Sequence, residues 1–79
     1  PDFKSTDELW IQILLTKYKK EEFKQLLKNT GDIYLLEFDR GAYNRFGESK
    51  VIWGGNIIDN ELWGKNLMGK YLMHVRELV

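Results

Sequence analysis

Two segments in the first part of the chain have the apolar spacing of helices. We predict a helix over 5–18, "STDELWIQILLTKY", with Glu8 placed for a capping box. Its apolar arc is very wide, so we expect this helix to be buried on more than one side. We predict a second helix over 20–29, with Gly31 placed to cap its C-terminus. The apolar arc of the first helix consists of Trp10, Ile11, Ile13, Leu14, Leu15 and Tyr18.

The closing segment, "GKNLMGKYLMHVRELV", predicts a third helix that begins between Gly64 and Asn66. A glycine inside a helix costs up to about 1 kcal/mol relative to alanine. Gly69 therefore either permits close approach by another element or a ligand, or is a tolerated glycine beside a surface methionine. The edge that carries Asn66, Gly69, Met73 and Arg76 is expected to be a contact face, unusually exposed in an isolated structure. The core face comprises Leu67, Met68, Tyr71, Leu72, Val75, Leu78 and Val79.

The segments between the helices are short and rich in turn residues. "DIYLLEF", 32–38, is either a strand or a buried extended segment, and 39–50 is a loop with a turn at "FGES". "IDNE" is either a turn or the entry to a helix. The predicted fold is mainly α-helical, with about three helices and at most a short strand pair.

Composition narrows the classes of function. The 79 residues make one small domain, and the absence of cysteine excludes disulfides and thiolate metal sites. His74 is the single histidine and has no second ligand spaced to join it, so we expect no metal and no cofactor. The chain begins at Pro1 without methionine, and we expect it to be a piece of something longer.

The charge pattern argues against binding to the phosphate backbone of nucleic acids, and the hydropathy pattern argues against a membrane-spanning segment. Twelve basic side chains balance twelve acidic ones, and "KYKK" at 17–20 is followed at once by Glu21 and Glu22. That run is best interpreted as a solvated helix end. No segment is apolar for long enough to cross a bilayer. We predict a cytoplasmic protein.

Several motifs occur together in family-like order and spacing. They are "WGG" at 53–55, "GKNLMGKYLMHVREL" at 64–78, "LTKY" at 15–18 and "FKQLLKNTGDIYLLE" at 23–37. This set resembles the YbiA-like, or NADAR, family, whose C-terminal signature is W-G-x-G followed by G-x-N-x-x-G-x-x-L-M-x-x-R-E. The resemblance covers most of residues 8–79 and implies the C-terminal half of the YbiA-like fold.

The resemblance implies hydrolysis of N-glycosidic bonds. Members of the family act on phosphorylated intermediates of riboflavin synthesis, or on ADP-ribose attached to nucleic-acid bases. The expected substrate is therefore a ribosyl phosphate or a nucleotide sugar of the ADP-ribose type, and ADP-ribosylated nucleic acid is a further expected partner. Such chemistry needs a carboxylate to support an oxocarbenium-like centre and to activate water.

The chain departs from the family in three respects. The family's N-terminal half carries an S-x-E-H-x-x-Q-like stretch with a candidate catalytic glutamate, and nothing in this chain resembles it. Lys50 stands where the family has an aspartate before the Trp-Gly pair, and the segment between Glu37 and Trp53 is longer. We therefore expect the piece alone to be inactive and to need a complementary N-terminal half. A non-catalytic nucleotide-sugar binding module and a structural helical interaction domain stay open as alternatives.

Seven residues are candidates for the site. The resemblance to the family implies that Glu37 is catalytic. Glu48 is a candidate to replace the family's aspartate, whose position is occupied by Lys50. Trp53, either a stacking surface or a core residue, is flanked by Gly54 and Gly55, which are expected to leave backbone exposed for a ligand. Asn66 either caps the last helix or helps to seat a phosphate or ribose at its N-terminus. Arg76 either binds phosphate or forms an ion pair with Glu37.

Overall fold

The structure is a computed structural model that describes residues 5–79, so Pro1 lies outside it. Its elements confirm a mainly helical fold with one short antiparallel strand pair. In chain order they are α1 (Ser5–Tyr18), α2 (Glu21–Lys28), a 3₁₀ helix (Arg40–Ala42), β1 (Asn56–Ile58), β2 (Glu61–Trp63) and α3 (Leu67–Leu78).

The described residues form two compact units. The first unit contains residues 5–34 together with Tyr71–Val79, and the second contains Leu35–Lys70. Both units therefore draw on α3, whose first turn belongs to the second unit.

In the first unit, α1 has the predicted bounds but not the predicted burial. Leu14 is buried, whereas Leu9 is 57 % exposed and Ile13 is 47 % exposed. The expectation that α1 is buried on more than one side is therefore wrong at Ile13, which belongs to the predicted apolar arc, whereas Leu9 lay outside that arc. A unit this small has too few elements to cover a whole helix.

Helix α2 is close to its predicted range. Leu27 is buried, and its carbonyl accepts a hydrogen bond from the Thr30 N–H at 3.1 Å. The Gly31 N–H donates to the Lys28 carbonyl at 3.0 Å, and Gly31 has a φ of +61°. This left-handed residue satisfies a free carbonyl at the end of the helix, as predicted.

Two residues of α3 complete the core of the first unit. Val75 is fully buried and Tyr71 is 7 % exposed, as the predicted core face requires, but the prediction is wrong at Leu78, which is 54 % exposed near the end of the helix. The Tyr71 hydroxyl donates to Asp7 Oδ1 at 2.5 Å. This hydrogen bond, together with burial, raises the pKa of Tyr71 above its ordinary value.

The second unit begins with an extended segment. The stretch through 37 is not a regular strand, which favours the extended alternative over a strand. The expected burial of this segment is wrong, because Ile33 is 67 % exposed and Phe38 is 62 % exposed. Phe38 forms a single parallel bridge with Gly55. The Asp39 N–H donates to the Gly55 carbonyl, and the Gly55 N–H donates to the Glu37 carbonyl, both at 2.8 Å. Main-chain bonds thus join the two segments.

A two-residue hairpin links β1 to β2. Asp59 and Asn60, between Ile58 and Glu61, have φ values of 53° and 66°. Positive φ at both central residues is the geometry of a type I′ turn, which aspartate and asparagine tolerate. "IDNE" is therefore a turn and not a helix entry.

The turn in the long loop lies earlier than predicted. The Gly47 N–H donates to the Asn44 carbonyl at 3.2 Å, and the Phe46 N–H donates to Asn44 Oδ1 at 2.9 Å. The turn thus spans 44–47 in place of "FGES", because the asparagine side chain supplies the acceptor that starts it.

Candidate functional site

Asn66 lies at the centre of the second unit. It directly precedes α3, has a φ of 49° and is 0 % exposed. Its Nδ2 donates to the Leu35 carbonyl and its Oδ1 accepts from the Glu37 N–H, both at 2.8 Å. One amide side chain thus satisfies both a donor and an acceptor of the extended segment's main chain.

Gly69 explains how the extended segment comes so close to α3. A Cβ atom at this position would overlap the Leu35 carbonyl oxygen and lie 2.5–2.6 Å from the amide atoms of Asn66. Of the two expected reasons for this glycine, the structure shows the approach of another element. The expected exposure of this edge is wrong at both Asn66 and Gly69, because the extended segment covers them.

The N-terminus of α3 has its donors occupied. The N–H groups of Asn66, Leu67 and Met68 donate to the carbonyls of residues 52–54 at 3.0–3.1 Å. The Asn66 carbonyl accepts from the Lys70 N–H at 3.0 Å, as it does in an N-cap residue. A phosphate at this helix end would have to displace main-chain acceptors. The substrate role of Asn66 stays a prediction, and its observed contacts are structural.

Gly54 and Gly55 are buried, so the expected exposed backbone is wrong. A Cβ atom at Gly54 would lie 2.6 Å from the Glu37 carbonyl oxygen, and one at Gly55 would lie 2.8 Å from the Trp63 carbonyl oxygen. These glycines let neighbouring main-chain segments pack against one another. The adjacent Trp53 is 42 % exposed, which leaves part of its indole ring accessible for stacking.

Glu37 combines a fixed backbone with an exposed side chain. Its N–H donates to Asn66 Oδ1 and its carbonyl accepts from the Gly55 N–H. The residue as a whole is exposed. The structure therefore brings Glu37 together with Asn66, Gly54 and Gly55, four of the seven predicted site residues.

Glu48 lines a pocket that none of the other predicted site residues lines. The pocket has a volume of about 310 Å³ and is bounded by Glu48, Ser49, Glu61, Leu62, Trp63 and Gly64. Sequence reasoning missed Glu61 as a site residue, and it interpreted Trp63 as either a core residue or a partner-facing surface. The Asp-Asn turn could have indicated this position. The turn fixes the register of the hairpin, and the register decides which side chains of β2 lie on the same face.

Arg76 belongs to the first unit. Its Nη1 donates to Thr30 Oγ1 at 2.9 Å and to the Ile33 carbonyl at 2.8 Å. Its Nε is buried and has no hydrogen-bond partner among residues 5–79. These contacts tie α3 to the segment after α2. The predicted phosphate contact and the predicted pair with Glu37 stay predictions.

Within the described residues, no group of three or more histidine, cysteine, aspartate or glutamate side chains is arranged to hold a metal ion. No helix in the same part of the chain is both long and apolar enough to cross a membrane. Comparison of the chain with protein-family models, curated proteins and solved structures gives no match.

Proposed function

We propose that this chain is the C-terminal part of a YbiA-like N-glycosidase that hydrolyses a ribosyl-phosphate or ADP-ribose-type substrate. The observation that supports this proposal is the meeting of the motif residues in one unit. Asn66 and Gly69 hold the extended segment that ends in Glu37, and Gly54 packs against the same segment. The motifs that suggested the family thus converge on the backbone of its candidate carboxylate.

In this proposal Glu37 supplies the carboxylate chemistry. Water attacks the anomeric carbon as the C–N bond to the base breaks, and the carboxylate accepts the proton that water loses. The base leaves with the electron pair of the broken bond and takes up a proton from solvent. The ring of Trp53 stacks on the base or ribose. Glu48 is the second carboxylate to be tested, since Lys50 occupies the family's aspartate position. A complementary N-terminal half supplies the remaining groups.

One alternative has an observation in its favour. Lys50 in place of aspartate removes a carboxylate beside the Trp-Gly pair, which favours a binding module for nucleotide sugars that has lost its chemistry. Such a module binds ADP-ribose with Trp53 and cleaves nothing. The enzyme and the module therefore differ in turnover and agree in binding.

The decisive experiment is an N-glycoside hydrolysis assay on the longest natural protein that contains this chain. A ribosyl-phosphate N-glycoside and an ADP-ribose N-glycoside serve as substrates. Glu37→Gln is expected to lower kcat by about 10²–10⁴-fold, the usual effect of losing a general base. Glu22→Gln is the matched control, because Glu22 is an exposed glutamate on α2. Unchanged kcat in Glu37→Gln contradicts the role of Glu37.

A binding experiment separates the enzyme from the module. ADP-ribose is titrated while tryptophan fluorescence is followed, with Trp53→Phe as the comparison. Binding that depends on Trp53, without turnover in the longer protein, supports the module. If neither binding nor turnover is observed, the enzyme and the binding module are both contradicted. The structural interaction domain is then the alternative that stays open.

A further inference from the structure

The pocket beside β2 combines side chains from two segments. Side chains alternate along a strand, so Glu61 and Trp63 lie on one face of β2. Glu48 and Ser49 of the preceding loop line the same pocket. The hairpin register and the loop therefore place two carboxylates and an indole around one space of about 310 Å³.

The two carboxylates of this pocket are not neutralised by the protein. Neither Glu48 nor Glu61 has an ion pair or a hydrogen bond to its side chain within the described residues. The pocket lining, as far as the structure describes it, contains no lysine or arginine. Lys50 and Lys65 each follow a lining residue in the chain, but the lining itself has two glutamates and no basic side chain, which favours a cation over a phosphate.

Trp63 provides the apolar wall. Its ring packs edge-to-face against Tyr43, with ring centroids 5.1 Å apart and an interplanar angle of 81°. This contact restrains the indole ring at the side of the pocket. An organic cation gains from the face of an indole as well as from the carboxylates. A bare Ca²⁺ ion prefers six to eight oxygen ligands, more than two glutamates and one serine supply.

We infer that this pocket binds an organic cation, a primary ammonium or a guanidinium group. Glu48 and Glu61 pair with the charge, and Trp63 packs against the carbon atoms or the cationic face. The inference does not depend on the proposed function, whose substrate carries phosphate. The cation belongs either to a free amine or to a lysine or arginine side chain of another protein.

Nuclear magnetic resonance titration of this chain tests the inference. The probes are ethylguanidinium, n-butylammonium, spermidine and the peptide acetyl-Gly-Arg-Gly-amide, each compared with sodium chloride at equal ionic strength. We expect saturable shifts of the amides of 48–49 and 61–64 and of the Trp63 indole N–H. No saturable shift with any probe, or the same shifts with sodium chloride, overturns the inference.

Variants identify the groups responsible. Glu48→Gln and Glu61→Gln are each expected to weaken binding several-fold, and the double variant by about ten-fold or more, since both charges are lost. Trp63→Phe tests the contribution of the indole ring to binding. Glu22→Gln is the control for a change of net charge away from the pocket. Equal binding by the double variant and by Glu22→Gln overturns the inference. Because both pocket glutamates are exposed, their replacement by the isosteric amide leaves the core contacts in place.

The probes also separate the sources of the cation. Tighter binding of the arginine peptide than of ethylguanidinium indicates a partner side chain, because backbone contacts add to those of the charge. Equal or tighter binding of spermidine indicates a free amine. Saturable shifts of the same residues with inorganic phosphate, and none with the cations, contradict the assigned ligand class.

Discussion

Each of the two units is stabilised internally by a different kind of contact. The first unit depends on side chains: Val75 and Leu27 fill its core, and Tyr71 bonds to Asp7. The second depends on the main chain, which approaches closely where Gly54 and Gly69 have no side chain. Packing by side chains tolerates exchange among residues of similar size and polarity. Packing of main chain on main chain tolerates almost no added atom.

This difference teaches where each unit is vulnerable. In the first unit a substitution leaves a cavity, and neighbouring side chains relax partly into it. In the second unit the buried side chain of Asn66 bonds to a carbonyl and to an N–H group of the extended segment, and no apolar residue can make these bonds. We therefore expect the largest single losses of stability in the second unit, although its secondary structure is sparser.

Asn66→Ala is expected to have the largest effect, about 3–5 kcal/mol less free energy of unfolding. It removes the hydrogen bonds that the Asn66 side chain makes with the Glu37 N–H and the Leu35 carbonyl, and it puts alanine at a positive φ. Urea denaturation measures the change. Asn60→Ala is the matched control, because Asn60 also has positive φ but is exposed. Equal losses in the two variants contradict the structural role of the buried amide.

Gly69→Ala is expected to cost about 2–4 kcal/mol, although alanine is favoured over glycine by about 1 kcal/mol inside a helix. The added Cβ overlaps the Leu35 carbonyl and crowds Asn66. Gly47→Ala is the control, since nothing lies within 4 Å of a Cβ at Gly47. Thermal unfolding of both variants measures the difference. A stabilised Gly69→Ala variant shows that the close approach is not maintained.

Val75→Ala tests the first unit and is expected to cost about 2 kcal/mol, since it removes two buried methyl groups. Leu78→Ala on the same helix is the control, because Leu78 is 54 % exposed. Urea denaturation compares both with the Asn66 variant. A larger loss for Val75→Ala than for Asn66→Ala reverses the comparison between the units.

The Tyr71–Asp7 hydrogen bond is expected to give the smallest effect and a characteristic pH dependence. Tyr71→Phe is expected to cost about 1–2 kcal/mol at neutral pH. Because the pKa of Tyr71 is raised in the folded state, its contribution is complete below the ordinary value of 10.0 and is lost as pH rises through the native pKa.

Free energies of unfolding measured from neutral pH to above about pH 10 check this dependence. The decrease at alkaline pH is expected to be smaller in Tyr71→Phe than in the parent chain. Tyr43→Phe, in the second unit, is the control for loss of a tyrosine. An unchanged alkaline slope in Tyr71→Phe contradicts the contribution of this bond.

The helices could be predicted because their causes are local. The run of apolar and helix-favouring residues placed α1 at its observed bounds, and the 3.6-residue apolar period placed the start of α3 within a few residues. The burial of α1 could not be predicted in the same way. The period shows which face is apolar, but the number of neighbouring elements decides whether Leu9 and Ile13 are covered.

The sequence predicted which residues belong to the candidate site better than it predicted the contacts that they make. Glu37, Gly54, Gly55 and Asn66 were singled out, and the structure brings them together. Their contacts differ from those expected. A glycine can expose backbone to a ligand or allow another main-chain segment to approach, and the sequence alone does not distinguish the two. The pocket at Glu48 and Glu61 depends on the hairpin register, which a two-residue turn sets.

The sequence by itself determined the helices, the hairpin turn and the balance of charge, since each depends on residues close together in the chain. Only the tertiary structure decided what Asn66 and Gly69 do. Their partner, the Leu35–Glu37 backbone, lies about thirty positions away and is recognised through main-chain atoms that every residue shares. Side-chain chemistry can be read from a sequence, whereas the approach of one main chain to another becomes visible only when the chain is folded.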